Sequence, residues 1–129
     1  MSELINAVLN NDIEKVKILI KKGADVNQVD KYGDTALICS SRAGYEKTVK
    51  TLIKHGANVD HVDKYGDTAL IWAARYGHEK TVETLIKNDA NVNQTNKHGN
   101  TALILASTYG HEEIVEILEN EILEANKWV

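Results

Sequence analysis

The sequence predicts an all-α solenoid of about four stacked helix-turn-helix units. The first observation is a repeated segment. Asp-Lys-Tyr-Gly-Asp-Thr-Ala-Leu-Ile starts at Asp30, recurs at Asp63, and returns at Asn96 as Asn-Lys-His-Gly-Asn-Thr-Ala-Leu-Ile. The second is its period. Gly33, Gly66 and Gly99 are 33 residues apart, as are Thr35, Thr68 and Thr101, and Gly44, Gly77 and Gly110, with no insertion. The two complete copies agree at roughly two-thirds of positions. The third is that each copy holds two apolar stretches of helical spacing, each about two turns long. Isolated helices need about 12–15 residues for even marginal stability in water, so burial has to come from stacking on neighbours.

The frame extends to both ends. Leu4, Ala7, Val16, Leu19, Gly23, Ala24 and Val26 fall on repeat positions, so residues 1–29 form an N-terminal capping repeat without its turn. Residues 30–62 and 63–95 are internal repeats, and residues 96–129 a modified C-terminal capping repeat, all within one domain, 1–129.

Within residues 63–95 the local code is explicit. Thr68 is suited to cap a helix over residues 69–75, its hydroxyl accepting a free first-turn N–H. Leu70, Ala73 and Ala74 fall at i, i+3 and i+4 on one face, and Gly77 supplies a left-handed stop. A second helix over residues 79–87 turns Val82, Leu85 and Ile86 inward and Lys80, Glu83 and Lys87 to water. The small Ala73 and Ala74 allow close helix approach. The polar stretch over residues 91–100, rich in Asn and Gly, reads as an extended turn.

Composition excludes several classes. With 43% hydrophobic and 26% charged residues in 129, wholesale disorder is out. The longest apolar run, around Ala102 to Ala106, is far too short to span a membrane, and the N-terminus lacks the basic-then-apolar pattern of a signal peptide. A single cysteine, Cys39, excludes an intrachain disulfide and fits a reducing compartment. The net charge of −4 argues against nucleic acid as the main partner. These features predict a cytoplasmic chain, with a nuclear location or delivery into a host cell as the alternatives.

Taken in order, Gly66-Asp67-Thr68-Ala69-Leu70-Ile71-Trp72-Ala73-Ala74, Gly77-His78, Val82, Leu85-Ile86 and Ala90-Asn91-Val92-Asn93 resemble the ankyrin repeat. The resemblance covers essentially the whole chain. It implies L-shaped units, two antiparallel helices followed by a β-hairpin-like finger, stacked into a curved slab. Its concave face would be lined by the fingers and first helices.

There are departures. The family's Pro is Ala at Ala36, Ala69 and Ala102, leaving helix initiation to the threonine cap. Its His is Ile at Ile38, Ile71 and Ile104, so apolar packing between repeats is expected in place of hydrogen bonds. Where Gly23 and Gly56 close the second helix, the third repeat has Asp89, a residue that tolerates the left-handed region better than most. At the end, Ile122-Leu123 replace Gly-Ala. Val115, Leu118, Ile122 and Ala125 continue at helical spacing, which predicts one helix from about residue 112 to 126, packed through Ile122 and closed down by Trp128.

Catalysis finds no support. No His-Glu-x-x-His, Gly-rich phosphate loop, or Ser or Cys beside a base is present. His78 and His111 hold the family's Gly-His position, which is structural, and His55, His61 and His98 lie in turns or at helix ends. Cys39 reads as a small hydrophobe. No catalytic residue, metal site or cofactor is expected.

Comparison between repeats separates architecture from recognition. Thr68, Leu70, Val82 and Leu85 belong to positions that all repeats share. The variable sets Cys39/Trp72/Leu105, Arg42/Arg75/Thr108 and Ala43/Tyr76/Tyr109 are free to serve a partner. The family resemblance implies that this surface and the fingers bind protein. The finger positions are Lys31, Tyr32, Asp34, Lys64, Tyr65, Asp67, Lys97, His98 and Asn100. The repetition of Tyr32 and Tyr65 fits either finger-on-finger stacking or ligand contact. Trp72 reads as lining the groove, and the cluster of aromatic and Arg residues has the composition of an interface hot spot. Charge runs from neutral over residues 1–29 to −4 over residues 96–129, an acidic end that is expected to serve solubility, with steering of a basic partner as the alternative.

The expected protein is therefore a monomeric, non-enzymatic module that binds another protein, with neither nucleic acid nor membrane as partner. The alternatives are a structural or engineered scaffold without a natural partner, and a regulatory fragment of a larger enzyme.

Overall fold

The computed structural model describes residues 2–127. Eight helices follow one another: α1 (Glu3–Leu9), α2 (Ile13–Lys21), α3 (Ala36–Ala43), α4 (Glu46–Lys54), α5 (Ala69–Tyr76), α6 (Glu79–Lys87), α7 (Ala102–Thr108) and α8 (Glu112–Asn126). Odd and even helices pair within each unit, and each row stacks on itself from unit to unit. The inner row, α1-α3-α5-α7, packs more closely than the outer row, α2-α4-α6-α8. Small residues permit this: Ala36, Ala69, Ala73, Ala74, Ala102 and Ala106 are all buried on inner helices. Closer spacing along one row bends the slab toward that row.

Each inner helix starts on a hydroxyl. Ser2, Thr35, Thr68 and Thr101 accept hydrogen bonds from the backbone N–H of Ile5, Ile38, Ile71 and Ile104 at 3.1–3.2 Å. Each cap is worth about 1 kcal/mol, which offsets the absence of proline. All four inner helices are followed by a left-handed residue, a glycine at 44, 77 and 110 and Asn11 (φ 52°) at the equivalent place in the first unit.

Gly77 serves a second purpose besides its φ of 76°. A Cβ there would lie 2.7 Å from the His111 ring, whose Nε2–H donates to the Arg75 carbonyl at 2.9 Å. His78 makes the same bond to Arg42. The Gly-His pair is thus the polar stitch between consecutive units.

The core is one continuous cluster running the length of the stack. Leu37, Ile38, Leu52, Leu70, Ile71, Leu85, Ile114 and Leu118 are almost wholly buried. Burial of such a side chain contributes about 1.5–3 kcal/mol. Ile38 and Ile71 satisfy the expected apolar substitution for the family's histidine. Ile104 does not, being 44% exposed, with no further unit stacked upon it among the described residues.

Between units the chain forms turns, with no strand among the described residues. They are nevertheless hairpin-like. Asp63 N–H donates to the Asp67 carbonyl, while Asp63 Oδ1 accepts from Tyr65 N–H and Asp67 N–H; Asp30 and Asn96 do the same in their fingers. Neighbouring fingers touch through backbone: Lys64 N–H donates to the Tyr32 carbonyl, and Lys97 N–H to the Tyr65 carbonyl.

Two irregular features fall where expected. Asp89 adopts φ 65° beside glycines at φ 94–96° in the equivalent position of earlier units. The last helix runs unbroken to Asn126, with Ile122 half-buried against the core. Ala125, expected to continue the apolar stripe, is exposed, since the preceding unit's second helix ends too early to cover it. Trp128 lies outside the described residues.

Candidate interaction face

Trp72 is the centre of the inner face. It sits on the middle of α5, half-buried, with the Arg42 guanidinium 4.2 Å from its ring centroid and that of Arg75 4.3 Å away. Tyr76, one turn on, stacks with it at 5.8 Å and 20° between planes. The indole N–H donates to Asp63 Oδ2 at 2.9 Å, so its polar edge is tied to the base of the finger. Cation–π contacts of this kind contribute about 0.5–2 kcal/mol each.

Both arginines are held from the other side as well. Arg42 donates to Asp34 Oδ2 at 3.1 Å and Arg75 to Asp67 at 3.4 Å, spanning the turn from finger base to inner helix. Asn96 of the next unit donates to Asp67 Oδ1 at 2.8 Å. Burial raises the Asp34 carboxyl above its ordinary value, against the opposing pull of Arg42. The result is a row of fixed groups, Asp34–Arg42–Trp72–Arg75–Asp67.

The residues expected to face a partner divide into three sets. Lys31, Tyr32, Lys64, Tyr65, Tyr76, Lys97, His98, Thr108 and Tyr109 are exposed. Arg42, Trp72, Arg75 and Asn100 are partly covered. Asp34 and Asp67 are buried, at 6% and 3% exposure, with their carboxylates engaged within the chain. They hold the arginines and do not face solvent; Cys39 and Leu105, expected to share the variable face with Trp72, are buried as well.

Tyr32 and Tyr65 are joined through a lysine. Lys64 Nζ lies 4.8 Å from the Tyr32 centroid and 5.1 Å from that of Tyr65, and Lys31 Nζ lies 5.0 Å from Tyr32. Both rings remain about half exposed.

Asp63 and Asn96 were not singled out in the sequence, although they orient Trp72 and Asp67. Their signal was present as the acidic or amide residue opening every finger at the 33-residue period.

One cluster has metal-ligand chemistry. Asp30, Asp34 and Cys39 bring ligand atoms within 4.8 Å of one another. Asp34 is committed to Arg42, however, and burial pushes the Cys39 thiol up to about 11, so it stays protonated at neutral pH. A protonated thiol is a poor metal ligand and a poor nucleophile.

Two family models match the chain, one describing ankyrin repeats in three copies over residues 4–96 and one a single ankyrin repeat over residues 98–125. The chain belongs to the ankyrin-repeat family. Such repeats are in general protein–protein interaction modules and typically carry no enzymatic activity. No curated protein matches the chain. Among the described residues, no helix is long and apolar enough to cross a membrane.

Proposed function

We propose that this chain is a non-enzymatic binding module that holds one partner protein on the face formed by its inner helices and fingers, as a cytoplasmic monomer. The observation that carries this reading is the fixed row centred on Trp72. Two arginines and a tyrosine, residue types that dominate interfaces, are locked in place by intrachain contacts and still reach the surface. Because the groups are already ordered, binding costs little side-chain entropy.

Tyr76 and Tyr109 are the exposed anchors, at 53% and 57% exposure on successive units. The test is capture of a partner from the source cell, followed by titration of that partner with four variants. Tyr76→Ala and Tyr109→Ala should weaken binding at least about tenfold, equivalent to the 1.4 kcal/mol or more lost at a typical central contact, with little change in melting. Lys80→Ala and Glu83→Ala, on the outer helix α6, should change neither. Equal affinities for all four variants would remove the site from this face.

A further inference from the structure

Resting on that reading, we propose that the occupant of the inner face is an extended acidic segment of a protein, with carboxylates about three residues apart and an apolar side chain at one end. The fully exposed charge of this face has one sign. Lys31, Lys64 and Lys97 stand at the same position of three successive fingers, all exposed, and none forms an ion pair among the described residues. Helices α3, α5 and α7 carry Arg42 and Arg75 and not one acidic residue.

The acids close to this face are already committed. Asp34, Asp63 and Asp67 are buried, bonded to Arg42, Trp72, Arg75 and Asn96. Asp30 is half-buried and accepts two backbone N–H groups of its own finger. The acidic excess lies elsewhere: six glutamates between Glu112 and Glu124 are all on α8. A chain of net charge −4 therefore presents a positive strip on one face. Such a strip attracts and orients a negatively charged partner.

The spacing sets the form of that partner. Adjacent fingers are hydrogen-bonded backbone to backbone, so the ammonium groups repeat once per stacked unit, about 8–10 Å if helices pack at ordinary distances. An extended peptide in the polyproline II conformation rises about 3.1 Å per residue with three residues per turn, which brings every third side chain, on one face, to the next lysine. Tyr32 and Tyr65 provide apolar walls between the charges. At the N-terminal end the strip opens into a cleft of about 520 Å³ lined by Ile5, Leu9, Val29, Lys31 and Tyr32, with Asp30, whose Oδ1 is held by its own finger's N–H groups, also on its wall. Leu9 and Val29 are 58% and 47% exposed there, which suits an apolar residue beside the first carboxylate.

The probe is a fluorescein-labelled peptide of about twelve residues, bearing Glu at every third position, Leu at one end, and Pro and Ser elsewhere. Anisotropy is read with the full chain at low and at physiological salt. Lys31→Glu/Lys64→Glu/Lys97→Glu should weaken binding at least about tenfold, and the Met triple at the same positions by less, since it removes charge without reversing it. Lys47→Glu/Lys80→Glu/Lys87→Glu makes the same change of net charge on the outer helices and should have little effect. A peptide of the same composition with its Glu residues clustered should bind at least about threefold more weakly than the spaced one.

Equal losses in the two Glu triples would reduce the effect to net charge and overturn the proposal. So would equal binding of the clustered peptide, or no binding at about 1 mM probe, the weak end of specific association. Tighter binding of a single-stranded oligonucleotide at the same salt would replace the acidic protein segment by nucleic acid. A natural partner that loses affinity with Tyr76→Ala and Tyr109→Ala, while the peptide fails, would retain the binding face and discard only the acidic occupant.

Discussion

His78 reaches back 36 residues to donate its Nε2–H to the carbonyl of Arg42, at 2.9 Å. A carbonyl only accepts, so this nitrogen carries the proton, and the tautomer is set by the neighbouring unit. The carbonyl belongs to the same Arg42 whose guanidinium covers Trp72, so the stitch between units and the exposed face share a residue.

The equivalent pair, Gly77 and His111, yields a prediction when set beside Gly110. Both glycines have φ near +75°, so alanine at either meets the left-handed penalty of about 1 kcal/mol. Only at Gly77 does the new Cβ also meet the imidazole, whereas Gly110 faces open space. Gly77→Ala should therefore cost about 1 kcal/mol more than Gly110→Ala, the worth of the hydrogen bond that the ring must give up. In the His111→Ala background this excess should vanish. Equal costs for both glycines in the native background would show that the ring moves freely.

Asp89 is exposed, has φ 65°, and its side chain makes no hydrogen bond among the described residues. Asp89→Gly should remove strain of about 1 kcal/mol and raise the melting midpoint by a few degrees. An unchanged or lower midpoint would mean that the carboxylate stabilises the turn in another way.

The unbroken α8 depends on Ile122, which is half-buried on the core, while the adjacent Leu123 is 68% exposed. Ile122→Asp should destabilise by about 1–3 kcal/mol, and Leu123→Asp by less than about 0.5. Denaturant titration of both variants checks this, and similar losses would place the helix end differently.

Cys39 gives a pH dependence. The thiol's pKa is about 11 in the folded chain against 9.0 without burial, so the folded state keeps its proton where the unfolded state loses it. The sign follows from proton binding. The contribution is complete below pH 9 and is lost as pH rises from 9 through 11, to a total of about 2–3 kcal/mol. Stability should therefore fall more steeply over that range in the native chain than in Cys39→Ala, measured by urea unfolding at several pH values. Parallel curves would mean that the thiol titrates normally.

Much of this was legible in the sequence because it is periodic. The threonine caps, the glycine stops and the inward series Leu70, Ala73, Ala74 depend on residues within four positions of one another. Asp89 and the extended α8 were legible as breaks in the same period. Other features depend on what lies across a turn. Whether Asp67 points to solvent or folds back is decided by Arg75, eight residues on, and by Asn96 of the next unit. The lysine between Tyr32 and Tyr65 depends on two fingers meeting side by side, a relation no single repeat contains.

The helix pairs in substantial contact all belong to the same unit or to adjacent ones. Chain segments that meet are consequently never much more than one period apart, and each added unit closes a loop of the same modest length. Such a molecule has low contact order and folds by propagation from wherever two units first associate. The central pair, covered on both sides, is the natural starting point. Amide hydrogens of α3 to α6 should then exchange last, with protection declining toward α1 and α8.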